Sequence, residues 1–149
     1  MEIYVLNREM ARKRIPEKPE LLIGILGSKS RESLPVSLTE SKFRVAYLTY
    51  TFDDIDEPFR DYVPINTKTA KSILEDFARF RNKIKSLAIH CNMGQSRSPA
   101  VAAALNDCFS LGNSSEDFFS GGYTPNRLVY RTLIRTARKI GIPVQDIYR

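Results

Sequence analysis

Hydrophobic positions recur along the 149-residue chain in two alternating rhythms: short, nearly continuous apolar runs, and longer stretches where they return every three or four residues. Residues 2–6 read as a first strand, and residues 7–14 as a short helix stopped by Pro16. Leu21-Leu22-Ile23-Gly24-Ile25-Leu26 is the pattern of a strand covered on both faces. Residues 27–40 are polar, with serine-rich turn chemistry. Residues 43–52, rich in β-branched and aromatic side chains, read as another strand. Residues 53–66 contain acids and two prolines, Pro58 and Pro64, and read as a loop. Thr67 opens a helical pattern with Ala70, Ile73, Leu74, Phe77 and Ile84 on one face. Ser86 to His90 is a short buried strand, and residues 91–96 form a loop. Pro99 at an early helical position and the run from Ala100 to Leu111 predict a buried helix, ended by Leu111-Gly112-Asn113. Residues 115–119 suggest a short helix. Pro125 opens the last one, with Leu128, Tyr130, Leu133, Ile134, Ala137 and Ile140 available to a core.

This alternation predicts an α/β fold, a mostly parallel central sheet flanked by helices. The length suits one domain over residues 1–149, and no repeat, low-complexity tract or linker divides it. Open sheets of this kind bind ligands at the carboxyl ends of their strands. The acidic loop and the loop beginning at Cys91 both sit there.

Composition narrows the picture. At 42% hydrophobic and 27% charged residues, the chain has the material for one core and no mark of disorder. No apolar run approaches the roughly 20 residues of a membrane span. The N-terminus carries an acid and no basic region, so the expectation is a cytoplasmic protein with no membrane partner. Cys91 and Cys108 cannot build a disulfide scaffold, and with a single histidine no metal site or cofactor is expected. Cys108 lies along the helix after the Cys91 loop, too far away to bridge to Cys91, and reads as a core residue. The net charge of +6 attracts anions. The one tight basic cluster, Arg12-Lys13-Arg14 with Arg8 and Lys18 on either side, reads as a solvated face. No aromatic-basic interleaving points to nucleic acid, which leaves a phosphorylated substrate as the better candidate.

The informative stretch is His90-Cys91-Asn92-Met93-Gly94-Gln95-Ser96-Arg97-Ser98, with five residues between Cys91 and Arg97. A phosphate or similar oxyanion needs several donors on a small concave surface. The amides of a tight loop at a helix N-terminus supply them, and the helix dipole adds favourable potential. Asn92, Met93, Gly94, Gln95 and Ser96 would form that cradle, with Gly94 free to adopt a dihedral that other residues resist. Arg97 can grip two phosphate oxygens with a planar fork. The same field favours a thiolate at Cys91, ready to attack phosphorus. The Ser98 hydroxyl can donate to that sulfur and ease its departure. His90 is expected to hydrogen-bond within the loop and keep its shape.

This loop resembles the active-site motif of the protein tyrosine phosphatase superfamily: His-Cys, five residues, then Arg-Ser. Gly94-Gln95-Ser96-Arg97-Ser98-Pro99 most resembles the small dual-specificity phosphatases, including compact prokaryotic and phage-borne members. Phe52-Asp53-Asp54-Ile55-Asp56 occupies the place of the family's acidic loop, and Pro125-Asn126 matches a pair that often opens a late helix. The likeness is sharp at residues 90–99 and moderate at 52–56. It implies a two-step mechanism without metal: Cys91 forms a phosphocysteine, Arg97 and the loop hold the phosphoryl oxygens, and an aspartic acid serves first as acid and then as base. Asp53, Asp54, Asp56 and Asp61 are all candidates for that acid. Asp54 is favoured because it follows the strand closely, and Asp56 is second. Asn126 either supports the phosphate loop or simply caps its helix.

The implied substrate is a phosphorylated protein or peptide. The loop interior lacks the lysines common in lipid phosphatases of the superfamily. The short chain suggests a shallow site, open to phosphoserine and phosphothreonine as well as phosphotyrosine. The competing reading is a catalytically silent phosphate-binding module of the same fold, which gains if no aspartate reaches the loop. A sulfurtransferase or arsenate reductase ranks last: sulfurtransferases have a shorter loop, and arsenate reductases carry theirs near the N-terminus.

Overall fold

The computed structural model describes residues 1–144. Four strands form one sheet: β1 (Glu2–Leu6), β2 (Glu20–Leu26), β3 (Arg44–Thr51) and β4 (Ser86–His90). Their order is β1-β4-β2-β3 and every pairing is parallel. The two central strands, β2 and β4, are buried along their whole length, which explains their unbroken apolar sequence.

The sheet divides the core in two. Leu21, Ile23, Ile25, Leu87 and Ile89 face a large cluster built with α2 (Thr67–Phe80), α3 (Arg97–Phe109) and α5 (Arg127–Lys139). Leu6, Leu22 and Ala88 face a smaller one, covered by Ala11 of α1 (Arg8–Lys13) and by Leu38. Strand β3 joins with a register shift: Glu20 pairs with Arg44 and Leu21 with Ala46, so Val45 is left over and 41% exposed. This shift puts Tyr47 on the face of the smaller cluster, a placement the site below depends on.

Twelve of the thirteen residues of α3 are buried. Its alanines, Ala100 and Ala102 to Ala104, have little bulk, so neighbouring elements can pack closely against this central helix. Several boundaries depart from the expectation. The helix α3 ends at Phe109, with Ser110 and not a glycine taking the left-handed cap (φ 52°). The helix α2 stops at Phe80, and Ile84 enters the core beyond a short 3-10 turn, Arg81–Lys83. Residues 116–119 form the short α4 (Glu116–Phe119). Pro125 lies outside α5, whose cap is Asn126. Val129 is fully buried there, and Ile140 is 36% exposed. Tyr130, Leu133, Ile134 and Ala137 are buried as the pattern predicts, whereas Val129 joins them unnamed and Ile140 lies past the last helical residue, Lys139.

Among the described residues no helix is long and apolar enough to cross a membrane, and no group of three or more His, Cys, Asp or Glu side chains is placed to hold a metal.

Candidate active site

The chain leaves β4 at His90, turns through residues 91–96 and enters α3 at Arg97. Cys91 sits at this turn and is 2% exposed. Its sulfur accepts the backbone N–H of Gly94 at 3.2 Å and lies 3.1 Å from the Ser98 hydroxyl. Gly94 has φ 70°, and a Cβ there would come within 2.9 Å of the Asn7 nitrogen and the Leu6 carbonyl carbon. Only glycine satisfies both demands. The loop is therefore pressed against the end of β1, where Cys91 N–H reaches the Leu6 carbonyl and Arg8 N–H reaches that of Asn92. On the other side Thr124 N–H bonds the Gln95 carbonyl at 2.9 Å, and Asn126 N–H bonds that of Ser96 at 3.0 Å.

Ser96 occupies the N-cap position of α3 but makes no side-chain cap bond. A serine there would ordinarily satisfy one of the helix's open N–H groups. Its hydroxyl instead donates to Asp54 Oδ1 at 2.7 Å. The end of a thirteen-residue helix is thus left without its side-chain cap, beside the cysteine and the arginine.

Arg97 is 5% exposed. Its Nη1 donates to the Phe52 carbonyl at 2.9 Å, and its Nη2 pairs with Glu32. Its buried Nε has no partner. A guanidinium carries five N–H groups, so these two bonds orient the fork and leave donors for an anion. Glu32, on the 3-10 turn Ser30–Ser33, escaped the sequence reading. Its partner is 65 positions away, and a glutamate in a polar stretch carries no local signal. Gly27 makes room for it, since a Cβ there would meet the Glu32 carboxylate at 2.9 Å.

The four candidate acids separate clearly. Asp54 comes to the loop: its Oδ1 also accepts from Asn126 Nδ2 at 2.9 Å. Asp53 is buried and makes its hydrogen bonds to other residues. It accepts from the Ser28 amide at 2.9 Å, from the Ser28 hydroxyl, and from the Val63 amide at 2.7 Å. Burial pushes its carboxyl up. The Ser28 and Val63 hydrogen bonds and the nearby Arg97 charge outweigh this and hold it below the usual range. Asp56 is exposed. Asp61 is drawn off to Lys29 at 2.8 Å. The side chain of Asn126 caps α5, its Oδ1 accepting Val129 N–H, while its Nδ2 donates to Asp54 and the Ile55 carbonyl of the acidic loop and not to the phosphate loop.

His90 has a side-chain partner outside the loop that the sequence did not point to. Its Nε2 meets the Tyr47 hydroxyl of β3 at 2.8 Å and no side chain of the loop. That hydroxyl accepts from the Val36 amide at 3.2 Å, which leaves its own hydrogen for the ring nitrogen. Burial lowers the imidazole to about 4. Gly24 lies between the two partners, where a Cβ would be 2.6 Å from His90 Nε2 and 2.8 Å from the Tyr47 ring. Cys108 is a core residue, 3% exposed, its thiol pushed up to about 12 by burial.

A cavity of about 430 Å³ opens over the loop, lined by Asn92, Met93 and Arg97 and by Asp53 and Asp54 on the facing wall. Ile55, Phe59, Tyr62 and the 69%-exposed Met93 give it an apolar rim, on which Phe59 and Tyr62 stack at 5.7 Å.

A parallel sheet ending in a cysteine loop at a helix N-terminus, with an acidic loop opposite, is a fold this chain shares with solved phosphatases. Three solved structures of two phosphatases are similar to it. PTPMT1 in complex with PI(5)P superposes with a TM-score of 0.55 and 14% identity, over 93% of this chain and 92% of that one. Tk-PTP in the active form gives 0.50 and 16%, over 92% and 90%. PTPMT1 alone gives 0.54 and 13%, over 93% and 91%. No family model and no curated protein matches the sequence.

Proposed function

We propose that this protein is a cysteine-dependent phosphatase acting on phosphorylated proteins or peptides, on phosphotyrosine first and also on phosphoserine and phosphothreonine. The observation that carries this reading is the side-chain cap missing from α3. Its N-terminal serine spends its hydroxyl on Asp54, which leaves the helix end to an anion beside Cys91 and Arg97.

In this reading the phosphate sits in the cradle of Asn92, Met93, Gly94, Gln95 and Ser96, gripped by Arg97. The Cys91 sulfur attacks phosphorus, and the bond to the leaving oxygen breaks as Asp54 gives that oxygen a proton. Asp54, now a carboxylate, takes a proton from the water that attacks the phosphocysteine. The Ser98 hydroxyl donates to the departing sulfur, from 3.1 Å. His90 and Asn126 are positioning residues, behind the loop and beneath the acid.

The apolar rim, with Phe59 and Tyr62 stacked at the mouth, supports an aryl-bearing substrate such as phosphotyrosine. The complex of PTPMT1 with PI(5)P raises a phosphoinositide as the other substrate class. Residues 92–96 contain no lysine to take further phosphates, which favours the protein substrate. The bond from Ser96 to Asp54 holds a carboxyl at the loop, which supports the enzyme over a silent binding module.

The test is hydrolysis of para-nitrophenyl phosphate in EDTA by the wild type and by Cys91→Ser. Activity that survives the chelator and vanishes in the variant is expected. Absence of activity in both, with phosphopeptide binding retained, would favour the binding module.

A further inference from the structure

A second cavity, of about 500 Å³, adjoins the first. It lies between α1 and the segment after the 3-10 turn, and Asn92 of the cysteine loop lines both. Its polar wall is Arg8, Arg12, Arg31 and Ser37, with Glu9 as the single acid.

The basic cluster read from the sequence as one solvated face divides here. Lys13 pairs with Glu9 at 3.2 Å, Arg14 with Glu20 at 2.6 Å, and Lys18 with Glu2. Arg12 also pairs with Glu9, so the one carboxylate on the wall is already neutralised by two cations. Among the described residues no carboxylate pairs with Arg8 or Arg31. Arg8 is the more telling of the two. Its Nη2 donates to the Leu34 carbonyl at 2.9 Å, which fixes the guanidinium, while its buried Nη1 has no partner at all. A buried cationic donor without an acceptor is costly, and an arriving oxyanion removes that cost. The Arg8 backbone is in turn tied to the Asn92 carbonyl, so the cavity and the phosphate loop are built on the same two residues.

We propose that this cavity is an anion subsite that receives an acidic or phosphorylated side chain of the peptide substrate, next to the phosphate being removed. The assignment rests on the phosphatase reading above and extends it to substrate choice. The shared chemistry is an oxyanion gripped by Arg8 and Arg31, and a glutamate carboxylate and a second phosphate are its two sources.

The experiment uses phosphotyrosine peptides with neutral flanks, and versions carrying glutamate or phosphoserine at successive positions on either side. The readout is the ratio of kcat/KM for anionic over neutral peptides, which a uniform loss of folded protein does not move. At one position or more the wild type should favour the anionic peptide about tenfold, as a charge-assisted hydrogen bond allows. Arg8→Gln and the exposed Arg31→Gln should each bring that ratio towards one. The glutamate and phosphoserine series separate the two sources. A ratio of one throughout, or a ratio unchanged in both variants, overturns the subsite while leaving the phosphatase reading intact. If no peptide is hydrolysed, that reading fails, and the same ratio taken from peptide affinities of Cys91→Ser decides the subsite alone. A preference seen only with a soluble inositol bisphosphate, and with no peptide, overturns the peptide assignment.

Discussion

The two loops that meet over the cavity are specified in opposite ways. The cysteine loop is written locally: Cys91, Gly94, Arg97 and Ser98 lie within eight positions of one another, and their mutual contacts follow from a strand running into a helix. The acidic loop offers several carboxylates in similar local settings, and distant partners choose between them. Ser28 and the Val63 amide claim Asp53, Lys29 claims Asp61, and Ser96 with Asn126 claims Asp54. Local spacing therefore singles out the cysteine, while the sequence only favours Asp54 among four carboxylates and tertiary contacts separate it from the others.

The sharpest break is Arg97→Lys. A lysine keeps the charge but loses the fork and the two bonds to Phe52 and Glu32, so kcat should fall on the order of 10²–10³-fold. A fall of less than about tenfold would mean that charge alone suffices there. In the acidic loop, Asp54→Asn should slow hydrolysis of alkyl phosphates, which have poor leaving groups, about 10²-fold or more. Asp56→Asn should change it little. Equal effects would remove the distinction that the Ser96 and Asn126 bonds draw.

Asp53→Asn tests the neighbouring role. Its carboxylate accepts two amides and a hydroxyl, so the change should cost about 1–3 kcal/mol in urea unfolding and lower turnover less than Asp54→Asn does. The folded-state carboxyl lies below its ordinary value, so this stability is present above the unfolded pKa and is lost as pH falls through the folded one. A Gly24→Ala change should disturb the Tyr47–His90 bond and so destabilise the protein without altering leaving-group dependence.

Much of this was legible in the sequence. The parallel sheet followed from the apolar runs of β2 and β4, and the loop between β4 and α3 from the spacing of Cys91 and Arg97. Glu32 was not legible, because nothing near it in sequence predicts an arginine 65 positions on. The partner of His90 was hidden for a related reason. It depends on the register shift that turns Tyr47 inward and on a glycine, Gly24, in the strand between.

A further effect is expected in the pH dependence. The His90 imidazole is lowered from 6.5 to about 4 in the fold, so between those values the unfolded chain binds a proton that the folded chain refuses. Stability should fall as pH drops through that window, by about 3 kcal/mol at most. His90→Gln, which can still bond Tyr47, should flatten the fall measured by urea unfolding between pH 7 and pH 5. An unchanged slope would place the proton uptake elsewhere.

The most direct test of the nucleophile is to trap the intermediate. A phosphotyrosine peptide mixed with the wild-type protein and quenched in acid within the first turnover should leave one phosphoryl group on the fragment containing Cys91, read by mass spectrometry. Turnover without that adduct, or with the phosphoryl group on another residue, would contradict the account.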